Sequence, residues 1–182
     1  MTKADNKLET ITLAGGCFWC TEAIFQRIKG VVSVKPGYSG GSVENPTYKE
    51  VRSGKTGHAE AIQIEFDPKI INLETLLEVF FKLHNPTTLN RQGFDIGSQY
   101  RSVIFYRNKK QKDVALRVRE EIDKSGLYKN KVVTGVEAFK NFYDAEDYHQ
   151  HYYDNNKNAF YCRIIIDPKI KKLFANFKPL TK

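Results

Sequence analysis

Residues Leu8 to Lys29 read LETITLAGGCFWCTEAIFQRIK, and this stretch decides the fold. From Leu8 to Ala14 the residues alternate, with Leu8, Thr10 and Thr12 against Glu9, Ile11 and Leu13, as the two faces of a strand require. Gly15 and Gly16 then allow a tight turn without a Cβ clash. A helix is expected from about Cys17 to Lys29. Cys17 falls in its first turn, where unpaired N–H groups and the helix dipole favour a thiolate. Cysteine nucleophiles are often placed this way.

Working outward, VVSVKPGYSGG (31–41) predicts a strand that runs out into a Pro/Gly-rich loop. HAEAIQIEFD (58–67) is the clearest strand, closed by Asp67-Pro68. NLETLLEVFFKLHNP predicts a helix with Asn72 as N-cap and Leu73, Leu76, Leu77, Phe80 and His84 on one face, stopped by Pro86. RSVIFY and VVTGVEAF are strands, and NKKQKDVALRVREEIDKSG between them is a surface helix with Val114, Val118 and Ile122 on one stripe. DAEDYHQHYYDNN is expected to be helical with Asp144 as cap. YCRIIID is expected as a short apolar strand or extended segment before a basic tail. No linker, low-complexity tract or internal repeat divides the chain, so residues 1–182 are expected to form one domain, with 1–7 and 168–182 as flexible or peripheral ends. Strands and helices alternate without a strict βαβ cadence, which predicts an α/β or α+β fold in which helices pack on a mixed sheet.

The chain has 182 residues, 41% of them hydrophobic and 27% charged, enough for one domain with a real core. No apolar run approaches a membrane span of about 18 residues, and MTKADNKLET lacks the apolar core of a secretory signal. Three cysteines fit poorly with a secreted disulfide framework, so a cytoplasmic, reducing compartment is expected. The net charge of +8 comes from 21 Lys and 8 Arg with the lysines scattered. Arginine dominates bidentate contacts to phosphate and bases, so this charge reads as a solvated surface and nucleic acid is not an expected partner.

Cys17-Phe18-Trp19-Cys20 admits two chemistries: a dithiol exchanger of thioredoxin type, or a thiol nucleophile acting on a small substrate held by the rings. A metal site would need Cys162 and a distant histidine, with no second close ligand pair, and none is expected. Phe18 and Trp19 make an apolar wall beside the sulfur, suited to a methyl or thioether group. Burial can raise a thiol pKa by more than a helix dipole lowers it, so Cys17 is not expected to be strongly acidic at rest. In HAEAIQIEFD, Glu60 shares its face with Ile62, Ile64 and Phe66. A carboxyl there is at least partly desolvated, its pKa should rise, and it can carry a proton near neutral pH.

GGCFWCTEAIFQRIKGV, GYSGG, NPTYKEV, SGKTGHAEAIQIEFDP, HNPTTLNRQGFDIGSQYRS and NFYDAEDYHQHY together resemble the peptide methionine sulfoxide reductases of the A type, over about Leu8 to Asp167. The resemblance implies a mixed-sheet two-layer sandwich with a ferredoxin-like core. It implies that Cys17 attacks the sulfoxide, that Glu60 supplies the proton, and that Tyr48 and Tyr100 assist with their hydroxyls. It makes Asp95 a positioning residue for the pocket, and Phe18 and Trp19 the binding wall for the substrate methyl. His149 is a weaker correspondence, for which a structural hydrogen bond to the backbone is preferred. The implied cycle passes through a sulfenic acid on Cys17 and an intramolecular disulfide, which thioredoxin or a small dithiol reduces. It reads only the S epimer, in proteins or as the free amino acid, and calls for no bound cofactor; a monomer is expected. The family commonly has glycine where this chain has Cys20, which leaves the electron path open. Cys162 is favoured as the resolving thiol, with Cys20 a direct rival or a relay. The alternative function is a general thiol–disulfide oxidoreductase using Cys17 and Cys20; a non-catalytic basic binding module leaves Glu60 and the cysteine motif unexplained.

Overall fold

A computed structural model describes residues 7–182. Its centre is a β-α-β-β-α-β unit: β1 (Glu9–Gly15), α1 (Phe18–Phe25), β2 (Val31–Ser39), β3 (Ala59–Phe66), α3 (Leu73–Leu83) and β6 (Ser102–Tyr106). A short helix α2 (Tyr48–Arg52) stands between β2 and β3, and a two-stranded hairpin of β4 (Arg91–Gln92) and β5 (Asp95–Ile96) lies between α3 and β6. The four long strands lie in the order β6-β1-β3-β2, each antiparallel to its neighbour. That is the ferredoxin-like arrangement. Helix α4 (Lys109–Lys124) leads to β7 (Gly135–Ala138), which adds in parallel to β6, and β8 (Phe142–Asp144) closes the other edge on β2. The sheet is therefore mixed, as the alternation of elements predicted.

Alternation decides which face is buried. Ile11 and Leu13 lie opposite Ile64 and Ile62, and Val34 and Tyr38 lie opposite Ile64 and Glu60. This face carries α1 and α3, whose Ile24, Phe25, Leu76, Leu77, Phe80 and Phe81 are all buried. Asn72 caps α3, accepting from the Thr75 N–H at 2.8 Å, and Asn108 caps α4 through Gln111. The opposite face presents small residues, Ala14, Ala59 and Ala61, which Phe139 and Phe142 cover. Arg107 lies on this side too, 3.8 Å above the Phe139 ring, and donates to Thr12 and Gln63.

Three stretches differ from the sequence expectation. Asp144 does not cap a helix: it ends β8, paired with Gly37. The residues after it form only a 3₁₀ turn (Asp147–His149) and a four-residue helix, α5 (Tyr152–Asn155), because His151 adopts a left-handed conformation (φ +53) that interrupts any longer helix. YCRIIID is not extended. Residues Cys162–Ile166 form a π-helical turn that runs straight into α6 (Asp167–Phe177), with Pro168 at the helix start. The end from 168 to 182 is accordingly not loose: α6 buries Ile170, Leu173 and Phe177 against α1 and α3. Residues 1–6 of the expected N-terminal end lie outside the described residues.

Candidate active site

Cys17 holds the N-cap position of α1 in a non-helical conformation, and its carbonyl accepts from Cys20 and Thr21. The turn into it is tight. Gly16 has φ +90, and a Cβ on it would lie 2.6 Å from the Gln92 side chain. Cys17, 8% exposed, opens on a cavity of about 220 Å³ lined also by Phe18, Trp19, Tyr48, Arg52, Glu60, Asp95, Tyr100 and Tyr161. Two larger clefts, of about 400 and 460 Å³, contain no cysteine.

Glu60 enters from the second residue of β3 and is 2% exposed. Its Oε2 accepts the Phe18 N–H at 3.1 Å, which anchors the carboxyl one residue beyond Cys17. Burial raises its pKa to about 8; the charges of Asp95 and Cys20 add to the rise, while the Phe18 N–H and Arg52 oppose it. The carboxyl is therefore largely protonated at neutral pH.

The hydroxyls are held from several directions. Thr47 and Glu50 form a reciprocal capping box at the start of α2, and Tyr48 is its first residue. The Tyr48 N–H donates to Glu146 Oε1 at 2.8 Å, while the Tyr38 hydroxyl donates to Oε2 of the same carboxylate at 2.7 Å. The Phe18 ring lies between those two tyrosines, 5.8 Å from Tyr38 and 6.5 Å from Tyr48. Tyr100 ends the 3₁₀ turn Ser98–Tyr100. Burial, aided by the Glu60 charge, pushes the Tyr48 phenol up to about 12 and raises that of Tyr100 as well, so both remain proton donors. Asp95, also raised by burial, accepts from the Tyr161 hydroxyl at 3.3 Å.

Trp19 is clamped on three sides. It stacks on Tyr152 at 3.7 Å and 7°, meets Tyr161 edge-on at 5.7 Å, and donates its indole N–H to His149 Nδ1 at 3.0 Å. His149 thus bonds the Trp19 side chain and not the backbone, contrary to the sequence expectation. Accepting at Nδ1, it carries its proton on Nε2, and burial lowers its pKa, so it is uncharged. Tyr152 is held in turn by the buried Glu22, whose Oε1 accepts the His151 N–H at 2.8 Å.

All three cysteines are free and buried in one apolar cluster with Ala23, Ile166 and Ile170. The Cys17 thiol donates to Cys20, whose pKa falls to about 7 with help from the nearby Lys169 cation and in spite of burial. Burial, together with the Cys20 and Glu60 charges, drives Cys17 upward. The resting pair therefore ionises first at Cys20. Cys20 Sγ also lies 3.8 Å from the Tyr161 hydroxyl. Cys162, fully buried on the π-helical turn, is raised by burial and by the charges of Asp167 and Cys20. The cavity thus gathers Cys17, Glu60, Tyr48, Tyr100, Asp95, Phe18 and Trp19. Cys20 and Cys162 are not among the residues that line it; they lie in the apolar cluster with Cys17. The sequence reading had not singled out Tyr161, Arg52, Lys169, Glu146 or Tyr152; only Tyr161 carried a local signal, as the residue before Cys162. Among the described residues no group of three or more His, Cys, Asp or Glu is placed to hold a metal, and no helix is long and apolar enough to cross a membrane.

The pattern of the peptide methionine sulfoxide reductase family matches residues 9–180. The peptide methionine sulfoxide reductase MsrA of Sulfolobus acidocaldarius is 58% identical over 174 residues, covering 93% of this chain and 96% of its own. Among solved structures, reduced Mxr1 of Saccharomyces cerevisiae superposes with a TM-score of 0.79 at 39% identity, over 88% of this chain and 92% of its own. Mxr1 in complex with Trx2 superposes with a TM-score of 0.57 at 31% identity, over 84% of this chain and 89% of its own. With a buried thiol and a protonated carboxyl facing one small cavity, and likeness along nearly its whole length, the chain belongs to the peptide methionine sulfoxide reductase family of oxidoreductases.

Proposed function

We propose that this chain reduces the S epimer of methionine sulfoxide, in polypeptides and as the free amino acid, with Cys17 as nucleophile and Glu60 as general acid. The observation that carries this reading is the hydrogen bond from the Phe18 N–H to Glu60, which sets a neutral carboxyl beside the thiol at the cavity. The sulfoxide oxygen is a poor leaving group until it is protonated. Glu60 gives it a proton, and the Tyr48 and Tyr100 phenols, which stay neutral, donate hydrogen bonds without adding charge. Phe18 and Trp19 form the wall for the methyl group, and Asp95 fixes Tyr161 at the far side.

Cys17 needs to lose its proton to attack, and the Cys20 thiolate that accepts its hydrogen bond takes it. The Cys17 sulfur bonds the substrate sulfur while Glu60 protonates the sulfoxide oxygen. The resulting hydroxyl passes from the substrate sulfur to Cys17 as the S–S bond breaks and its electron pair leaves with methionine, so Cys17 becomes a sulfenic acid and Glu60 is left as carboxylate until solvent reprotonates it. The Cys20 thiol then attacks the Cys17 sulfur, forming a disulfide and releasing water. This order puts Cys20 ahead of Cys162: the Cys17 thiol bonds Cys20, and Cys162 feels the charge of Cys20. Exchange between Cys20 and Cys162 then carries the disulfide to the π-helical turn, where thioredoxin collects it in a reducing, cytoplasmic setting. The complex of yeast Mxr1 with Trx2 supports that reductant.

A general thiol–disulfide exchanger would need its acidic thiol within reach of a protein disulfide. Cys20 is the acidic member and is 1% exposed, which favours the reductase. Turnover on the two separated sulfoxide epimers, with thioredoxin or a small dithiol as reductant, tests the reading. Methionine from the S epimer alone is expected; equal turnover of both epimers, or of neither, overturns it.

A further inference from the structure

Glu22 lies on α1 three residues beyond Trp19, and residues three apart on a helix share a side. Its side chain is 0% exposed. The chemistry above has no use for it, yet a buried carboxyl is costly unless its oxygens are bonded. Oε1 accepts the His151 N–H at 2.8 Å, while Oε2 makes no hydrogen bond among the described residues. The His151 ring is mostly exposed and stands 3.6 Å from the same Oε1, so the grip is on the backbone. That backbone needs one. His151 has φ +53, a region in which a residue with a side chain is strained and persists only where its surroundings hold it. On either side of it stand two partners of Trp19: His149, which accepts the indole N–H at 3.0 Å, and Tyr152, which stacks on the ring at 3.7 Å. A change of φ at His151 swings Tyr152 relative to His149, so the two cannot then both keep their places on one ring. Helix α1 thus carries the ring and, one turn on, the carboxyl that fixes the ring's supports.

Fastening α5 to α1 does not account for Glu22. Gln26 and Arg27 already bond Asp154 at 2.9 and 2.8 Å, and the Arg27 guanidinium lies 5.0 Å over the Tyr153 ring. Those contacts fall beyond His151 in the chain, and none of them touches residue 151. We propose that Glu22 is a positioning residue for the substrate wall: by gripping the backbone at His151 it holds the Tyr152 ring on Trp19, and so sets where the methyl group of the sulfoxide binds. The reductase reading above supplies the substrate of that wall; the link from Glu22 to Trp19 stands on the contacts alone.

Trp19 is the only tryptophan of the chain, so its fluorescence reports the wall directly, without substrate. Four single variants, Glu22→Leu, Glu22→Gln, Asp154→Ala and Tyr152→Leu, and the double variant Glu22→Leu/Tyr152→Leu are compared with the wild type by emission spectrum and by steady-state kinetics on methionine-S-sulfoxide. Glu22→Leu keeps the volume but removes the acceptor. Its emission should move to longer wavelength, and its KM should rise roughly fivefold, the scale of one aromatic stacking contact, with kcat within about twofold. Glu22→Gln keeps an acceptor oxygen and should keep both wild-type readings. Asp154→Ala, which cuts only the tethers from Gln26 and Arg27, should keep them too. The double variant should stay within about twofold of Tyr152→Leu in KM, because two changes acting through one ring do not add. An unmoved emission or KM in Glu22→Leu overturns the proposal, as do additive effects in the double variant or an equal shift in Asp154→Ala. A several-fold rise of KM in Glu22→Gln overturns it even if Glu22→Leu fails to fold. If no form of the protein, wild type included, releases methionine, the reductase reading falls, and the emission spectra alone still decide whether Glu22 places Trp19.

Discussion

Replacing Glu60 by glutamine should make the protein more stable and much less active. The amide keeps a carbonyl oxygen for the Phe18 N–H and nearly the same volume, but it cannot ionise. In the folded protein the carboxyl holds its proton up to about pH 8, against 4.5 for an unperturbed glutamate. Between those values the unfolded chain binds fewer protons than the folded one, so stability falls as pH rises through that window. Below it both states are protonated and the effect vanishes. The displacement from 4.5 to about 8 corresponds, at 1.36 kcal/mol per unit, to a penalty reaching about 5 kcal/mol at the alkaline end. Urea unfolding of the wild type and Glu60→Gln between pH 4 and 9 reads it directly. The two should be close near pH 4, and the variant should gain steadily above pH 5. Its rate of methionine formation should fall by about 10²–10⁴-fold, the usual cost of losing a general acid. Parallel stability curves across the whole range would refute the claim that this carboxyl is kept neutral by burial, and with it the reason for making Glu60 the acid.

Cys17→Ser should abolish reduction, because a hydroxyl is far less ionised and a weaker nucleophile toward sulfur; appreciable turnover in that variant removes Cys17 from the chemistry. Trp19→Ala should raise KM by roughly tenfold with a smaller change in kcat, since it takes away one wall around the methyl group; steady-state kinetics on the S epimer that show an unchanged KM would count against that wall. Lys169→Met should shift the first thiolate midpoint of the Cys17–Cys20 pair upward by roughly one unit as a neighbouring cation is lost. Ultraviolet thiolate absorbance follows it, and an unmoved midpoint would exclude Lys169 from activating Cys20.

Much of this was legible from local patterns. Alternation in HAEAIQIEFD set Glu60 on the apolar face, where the structure holds it 2% exposed. Asn72 was readable as a cap because its signal lies within one turn of the helix it starts. What escaped was long-range or concealed by composition. Trp19 and His149 are 130 residues apart, and Tyr161 and Asp95 are 66 apart, so nothing near either member of a pair announces the other. The run Ile164-Ile165-Ile166 has the β-branched character of a strand, yet it forms the π-helical turn that feeds α6, whose Ile170, Leu173 and Phe177 pack on the core. Tertiary packing overrode propensity there. Asp144 looked like a helix cap because its side chain suits one, but the vacant edge of β2 took its backbone instead.

The most direct measurement mixes the fully reduced protein with one equivalent of methionine-S-sulfoxide and no reductant, quenches with acid, and determines both methionine and the state of each cysteine by mass spectrometry. One methionine per protein is the predicted result, with Cys20 in a disulfide to Cys17 at the shortest times and to Cys162 after exchange; methionine released while all three cysteines remain free thiols would contradict it.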